Sequence, residues 1–555
     1  MKILAVIIFC LFHVISNGQF SRYIVSFKDK NGTSFTISDP SKYLSSRSIE
    51  RRIRQKISID ETDLPIAPAY LDSIKSTGVI ILNKSKWLNQ VCIYTTDPTA
   101  INKINTFPFV ITTSPVRHAI KVLDSSNKFI EHIANSGPII PHTLLSDFYD
   151  YGNAYPQIHI HEGEFLHNNG FHGEGMVIGI IDAGFFHYQT NPSFDSIRNN
   201  NQINDTYDFV NNKVSVNEED SHGMRCFSII ASNIPGKLIG SCPKATFNLY
   251  KSEDVNSEYP IEEQNWVSAA ERADSIGVDI LSTSLGYTTF DNPIFNHTYQ
   301  DMNGKTTIIA RANVLAAKKG IISVVAAGNE GNSTWHFISS PADADHVLTV
   351  GAVSTSGQPA SFSSYGPTSD GRVKPDVASV GVATATSSPS GAVVFGNGTS
   401  FATPNIAGLT TCLWQAFQDF TNLEIIDAIK KSSSIYNLPD DRIGYGIPNF
   451  HIAYDILTLI RSQRNMPDLN KDWIRVYPNP FPGNFYVAFK PKKTGNAFIT
   501  VYDESGKMYD SKNIATIEGQ SQNIFFNIIN ATAKSIYYVE YNDGTNKRSI
   551  RIMRR

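Results

Sequence analysis

At 555 residues the chain is too long for one ordinary hydrophobic core, and its length alone points to three or four domains. Hydrophobic residues make up 41%, charged residues 18%, and the formal net charge is -3, the composition of a soluble globular protein with no nucleic-acid partner implied.

Residues 1–18 combine Lys2, an apolar run over 3–15 and the small residues Ser16 and Gly18, the pattern of a cleaved secretory signal. That run is too short to cross a bilayer, and no later stretch approaches the roughly 20 apolar residues a spanning helix needs. Cys10 leaves with the signal; Cys92, Cys226, Cys242 and Cys412 are too scattered for a metal motif. Export permits disulfides, so a Cys226–Cys242 bridge and buried free thiols both fit.

Residues 19–116 alternate β-rich runs at 23–27, 79–82, 91–94 and 109–112 with helical stretches at 45–54, 68–77 and 99–105, predicting a compact α+β unit. The second helix stops at Gly78. The basic run Arg47, Arg51, Arg52, Arg54 and Lys56 has partly helical spacing and reads as a solvated helix face. Across 117–150 periodicity fades among scattered Ser, Asn, Gly and Pro, the pattern of a linker or processing region.

Within 151–462, the run 176–181 is continuously apolar and ends at Asp182, as a parallel strand covered on both faces would. A helix over 262–276 stops at Gly277 before a strand at 278–281; a helix over 309–319 stops at Gly320 before a strand at 321–326. Strands alternating with helices predict a doubly wound, mainly parallel α/β sheet, whose chemistry gathers at the carboxyl ends of its strands. Beyond a helix near 455–461 and a linker at 463–475, the Pro-rich Tyr477-Pro478-Asn479-Pro480 opens 476–555. Short alternating runs and the turn Asn542-Asp543-Gly544 predict a β-sandwich there.

Ser400 stands where Asn397-Gly398-Thr399 gives way to Ala402, Ile406, Leu409 and Leu413, spaced as the buried face of a helix. A serine at a helix start either caps it or sits among backbone N–H groups that can bind a developing oxyanion. Asp182 ends a buried strand, where a carboxylate can be fixed and aimed at an imidazole. His222, in Asp220-Ser221-His222-Gly223, precedes an apolar run, and Asn329, in Gly328-Asn329-Glu330, follows another buried strand. Taken singly, each has a plainer reading as a turn residue or cap.

Together these segments resemble the subtilisin-like serine proteases over about 151–459, including the chain order Asp, His, Ser. The resemblance implies that Asp182 orients His222, that His222 takes the Ser400 proton, and that Ser400 attacks the scissile carbonyl of a protein or peptide substrate. It puts an oxyanion hole at the Asn329 side chain and the Ser400 N–H, and substrate-binding walls at Ser284, Leu285 and Gly286 and at Ala326, Ala327 and Gly328. Ala183, Arg225 and Ala378-Ser379-Val380-Gly381 depart from the family's usual words without removing a reacting group. No cofactor is implied. Structural calcium, frequent in the family, has no support in Asp468-Leu469-Asn470-Lys471-Asp472, which lacks the loop glycine and distal Glu. His159, His161, Glu164 and His167 lack a recognised ligand spacing.

The flanking units resemble companions of that family. Residues 19–116 resemble an inhibitory propeptide, and 476–555, opened by Val476-Tyr477-Pro478-Asn479-Pro480, resemble the C-terminal sorting domain of the type IX secretion pathway. The expectation is a secreted or cell-surface serine endopeptidase of a Gram-negative bacterium, made as a precursor and exported by machinery that reads its C-terminal domain. The competing expectation is a surface binding protein or adhesin on a catalytically retired protease fold, against which all four reacting positions stand.

Overall fold

The computed structural model describes residues 20–118, 132–133, 147–218, 220–464, 467–528 and 535–555. The signal expected at 1–18 and most of the linker expected at 117–150 lie outside them. Two compact units divide the chain, Met1–Tyr454 and Asp455–Arg555. Among the described residues no helix is long and apolar enough to cross a membrane.

The first unit opens with a four-stranded antiparallel sheet, ordered Ile80–Ser85, Gln90–Tyr94, Phe20–Phe27, Val110–His118. Helices Pro68–Lys75 and Pro98–Ile104 accompany it, and Val25, Phe27, Ile74, Val91, Ile93 and Ile104 form its apolar core. The first α-helix of the chain, Ser46–Gln55, is capped by Ser45, whose hydroxyl accepts the Ser48 N–H.

That helix corrects the reading of its basic run as a solvated face. Arg51 and Arg52 are each 1% exposed; both pair with Asp274, Arg52 pairs also with Asp63, and Asp63 with Lys319. The reason is electrostatic. The helix abuts the C-terminal ends of helices Ile261–Ile276 and Ile308–Lys318, whose last carbonyls lack intrahelical donors and carry partial negative charge. Arg47 Nε donates to Gly277 O at 2.8 Å, Arg51 Nε to Lys319 O at 3.2 Å and Gln55 Nε2 to Gly320 O at 2.7 Å. Two arginines and the Gln55 amide thus cap two helices of the neighbouring sheet domain.

That domain is built on seven parallel strands in the spatial order Val377–Val380, Leu348–Val353, Ile322–Ala326, Ile280–Thr283, Val177–Asp182, Thr246–Lys251, Ile203–Asp208. Every residue of the first five is buried, as a sheet covered on both faces requires. From Val177–Asp182 the chain runs to the Ile203–Asp208 edge, returns through Thr246–Lys251, and then crosses to Ile280–Thr283. This reversal of strand order opens a crevice at the carboxyl ends of Val177–Asp182 and Ile280–Thr283. Thr283 is in register with Ile181 on one side and Val325 on the other, so Asp182, Ser284 and Ala326 leave the sheet at one level. Helix Thr399–Ala416 is buried from Thr399 to Trp414 and packs against the middle strands.

The second unit contains two antiparallel sheets. One is ordered Ile474–Tyr477, Asn484–Phe489, Gln522–Asn527; the other Met508–Thr516, Gly495–Asp503, Ile536–Asn542, Lys547–Met553. They share a core of Phe485, Val487, Ile499, Val501, Phe526 and Val539, the sandwich that alternating runs imply.

Candidate active site

Asp182, wholly buried at its strand end, is held through Oδ1, which accepts the Ala183 N–H at 2.7 Å and lies 2.6 Å from His222 Nδ1. His222 is the first residue of helix His222–Ala231, and its backbone N–H donates to Asp220 Oδ1 at 2.6 Å. Gly223 allows the helix end to come this close: a Cβ there would stand 2.6 Å from Gly184 O and 2.8 Å from Asp182 Cβ. Burial works against the imidazolium, but the Asp182 carboxylate, joined by Cys226, outweighs it and holds His222 well above its ordinary value of 6.5.

Ser400 is the second residue of helix Thr399–Ala416, behind Gly398 as N-cap, so capping falls to the glycine and the serine is left for other work. Its Oγ donates to Ser284 O at 3.3 Å. The Ser400 carbonyl would normally accept from the residue four further on, but that residue is Pro404, which has no N–H. Ser284 Oγ at 2.8 Å and Cys226 Sγ at 3.3 Å donate to it instead. Two side chains thereby tie the start of this helix to the end of a central strand and to the His222 helix.

Asn329 Oδ1 accepts from Thr399 N at 2.9 Å and Thr399 Oγ1 at 3.0 Å, which fixes the orientation of its amide. A Cβ placed on Gly398 would lie 3.7 Å from both Asn329 Nδ2 and Ser400 N, so the two N–H donors flank one point.

A cavity of about 220 Å³ is lined by His222, Ser284, Leu285, Gly286, Ala326, Gly328, Asn329 and Ser400. Asp182 stands behind His222, and Ala327 turns away: its side chain is buried with Ala310, Val325 and Ile338, which corrects its expected place in the wall. Thr288, Glu330, Ser339, Asn397, Thr399 and Phe401 complete the lining and were not anticipated. Ser339 closes the space between the two walls, because a Cβ on Gly286 would collide with its Oγ and one on Gly328 would come within 3.0 Å. It is 4% exposed, and its hydroxyl has no hydrogen-bond partner among the described residues.

His159, His161 and His167 take separate partners. His159 lies 2.5 Å from Glu164, His161 2.8 Å from Ser379 Oγ and 2.9 Å from Pro448 O, and His167 2.6 Å from Tyr151 Oη and 3.1 Å from Ser241 O. Arg225 is buried with its guanidinium 5.2 Å from the centre of the Phe401 ring. Cys226 touches His222 and Ser400 O, while the cysteine beside Cys242 is Cys412, so the structure offers no Cys226–Cys242 bridge.

Residues 173–446 match the Subtilase family, 22–131 the Peptidase S8 propeptide domain of Bacteroidota, and 475–554 a secretion system C-terminal sorting domain. Subtilisin E of Bacillus subtilis (strain 168) is 27% identical over 273 residues, 48% of this chain and 63% of that protein. Serine protease AprX of the same strain is 30% identical over 305 residues, 49% of this chain and 64% of that protein. The chain thus spans just under two thirds of the length of these curated relatives. Among solved structures, MycP1 from Mycobacterium smegmatis aligns with a TM-score of 0.43 at 22% identity, covering 58% of this chain and 88% of that one. Residues 173–446 thus form a domain of the subtilase family of serine proteases, with a Bacteroidota-type propeptide domain before it and a secretion sorting domain after it.

Proposed function

We propose that this subtilase is a serine endopeptidase with Ser400 as nucleophile, made as a precursor that its own N-terminal domain restrains. The observation that supports the reading is the Asp182–His222 pair at 2.6 Å, whose imidazole lines the same cavity as Ser400 and Asn329. An extended peptide lies between the wall of Ser284, Leu285 and Gly286 and the wall of Ala326 and Gly328. Ser400 Oγ leaves the Ser284 carbonyl for His222 Nε2, gives up its proton and bonds to the scissile carbonyl carbon. The displaced electron pair settles on the carbonyl oxygen, where Asn329 Nδ2 and Ser400 N–H donate to it. Collapse breaks the C–N bond, the leaving amine takes the proton from His222, and water then releases the acyl group from Ser400 by the same steps. Asp182 holds the tautomer with Nδ1–H and stabilises the imidazolium. The sorting domain indicates export to the cell surface or medium, where protein and peptide substrates are met.

Purified protein is expected to hydrolyse denatured casein, and Ser400→Ala to abolish that hydrolysis with an unchanged circular dichroism spectrum. Equal rates in the two proteins would refute the assignment. A binding protein on a retired protease fold would hydrolyse nothing in either form.

A further inference from the structure

We propose that Cys242 and Cys412 are joined by a disulfide bond in the exported protein. The four cysteines among the described residues are buried and unbonded in the structure, but their surroundings differ. Cys242 Sγ and Cys412 Sγ are 3.5 Å apart, in van der Waals contact. Cys226 instead packs 3.3 Å from Ser400 O and 4.0 Å from His222 Nδ1, and Cys92 sits with Ile24 and Val116 in the N-terminal sheet. A bond requires sulfurs about 2.05 Å apart, so the gap to close is about 1.5 Å, within reach of small side-chain rotations at both residues.

The site suits a bonded pair better than two working thiols. The partners of these thiols are weak ones: His172 O at 3.5 Å for Cys242, and for Cys412 Ser241 O at 3.5 Å, Cys242 Sγ at 3.5 Å and His167 Nε2 at 3.8 Å. Burial, and then the neighbouring Cys242, push the Cys412 thiol well above its ordinary range. His167 Nε2 is 3.8 Å from Cys412 Sγ, but burial pushes that imidazole down to about 3, so it is neutral and stabilises no thiolate. Thiols in such a place do not react once the fold has closed over them. The bond therefore forms while the chain folds outside the cytoplasm, which makes the proposal rest on export and not on the catalytic assignment.

The step is an exchange with a disulfide donor, either a periplasmic dithiol oxidase or oxidised glutathione. One cysteine thiolate attacks the donor disulfide and releases the first donor thiol; the second cysteine attacks the mixed disulfide and releases the other. One S–S bond forms in the protein, two S–H bonds are lost, and the donor gains two electrons and two protons. The product closes a loop of 170 residues and ties the segment before strand Thr246–Lys251 to the far half of the helix that presents Ser400. Cys226 remains a thiol behind His222.

The test uses full-length Ser400→Ala protein, which cannot digest itself, recovered from the periplasm or medium and, in parallel, refolded in a glutathione redox buffer. It is denatured with N-ethylmaleimide, reduced, treated with iodoacetamide and digested. Iodoacetamide is expected on Cys242 and Cys412, maleimide on Cys92 and Cys226, with one cross-linked peptide pair in the unreduced digest. Cys412→Ser should move Cys242 to the maleimide set. Maleimide on both Cys242 and Cys412 of the exported protein, or a cross-link from Cys242 to Cys226, overturns the proposal. The refolded sample then tells which part failed: a bond there faults the compartment, and thiols there fault the geometry.

Discussion

Replacing Asp274 by alanine removes the one carboxylate shared by Arg51 and Arg52, two guanidinium groups that are each 1% exposed. Breaking a buried ion pair from one side costs about 3–5 kcal/mol, because the orphaned charge stays out of water. Here the lower end applies: Arg52 keeps Asp63 at 2.7 Å, and Arg51 keeps the carbonyls of Val278 and Lys319. A loss of about 3 kcal/mol corresponds to roughly a hundredfold rise in the opening of helix Ser46–Gln55 from the sheet domain. The assay is amide hydrogen exchange across that helix in the Ser400→Ala background, with and without Asp274→Ala. The triple change Arg51→Met, Arg52→Met, Asp274→Leu should recover protection, since apolar groups of similar size can replace a buried ionic cluster. The pH dependence has a definite sign. Burial opposes the Asp274 charge, but Arg52 and Arg51 win and hold its carboxyl below the ordinary 3.8, so its contribution is complete above that value and is lost as pH falls through the depressed one. Protection unchanged within about threefold in Asp274→Ala would refute the claim that this network docks the helix.

Three further outcomes follow from the site. Because Asp182 holds His222 above 6.5, the acid limb of the kcat/KM profile should have its midpoint above that value, and Asp182→Asn should lower both the midpoint and the rate; a wild-type midpoint below 6.5 contradicts the coupling. Asn329→Ala should cost about 10²–10³ in kcat with little change in KM, the mark of a donor that acts only on developing charge. Gly286→Val should lower kcat/KM for peptides with phenylalanine on the acyl side of the scissile bond by about tenfold relative to alanine, and adding Ser339→Gly should restore part of that ratio, since the new side chain meets the Ser339 hydroxyl. Independent effects of the two changes would contradict Ser339 as the end of the pocket.

Why some of this was legible in the sequence and some was not has physical causes. Helix ends were readable because Gly277 and Gly320 take positive φ, 99° and 87°, a signal that needs no knowledge of distant residues. The central strands were readable as unbroken apolar runs, but Leu348–Val353 and Val377–Val380 carry Thr, Gly and Ser at fully buried positions and were passed over. The arginine row was misread because its partners, Asp274 and the carbonyls after two helices, lie more than 200 residues away, and helical spacing alone cannot distinguish solvent from a carboxylate. Asp182, His222, Asn329 and Ser400 sit in distinctive local words, whereas Ser339 acquires meaning only from facing Gly286 across the cavity. Ser400 stands at a helix start, as its local sequence implies, but Gly398 caps that helix, and Pro404 explains why Ser284 and Cys226 are drawn to the serine's carbonyl.

The most direct measurement of the central claim is to treat the purified protein with a biotinylated diphenyl phosphonate at pH 8 and locate the adduct by peptide mass mapping. One phosphonyl group per molecule on Ser400 is expected, lost in Ser400→Ala and slowed by at least about 10³ in His222→Ala, because an unassisted hydroxyl is a poor nucleophile. An adduct on another residue, or hydrolysis of peptides that survives in Ser400→Ala, would contradict it.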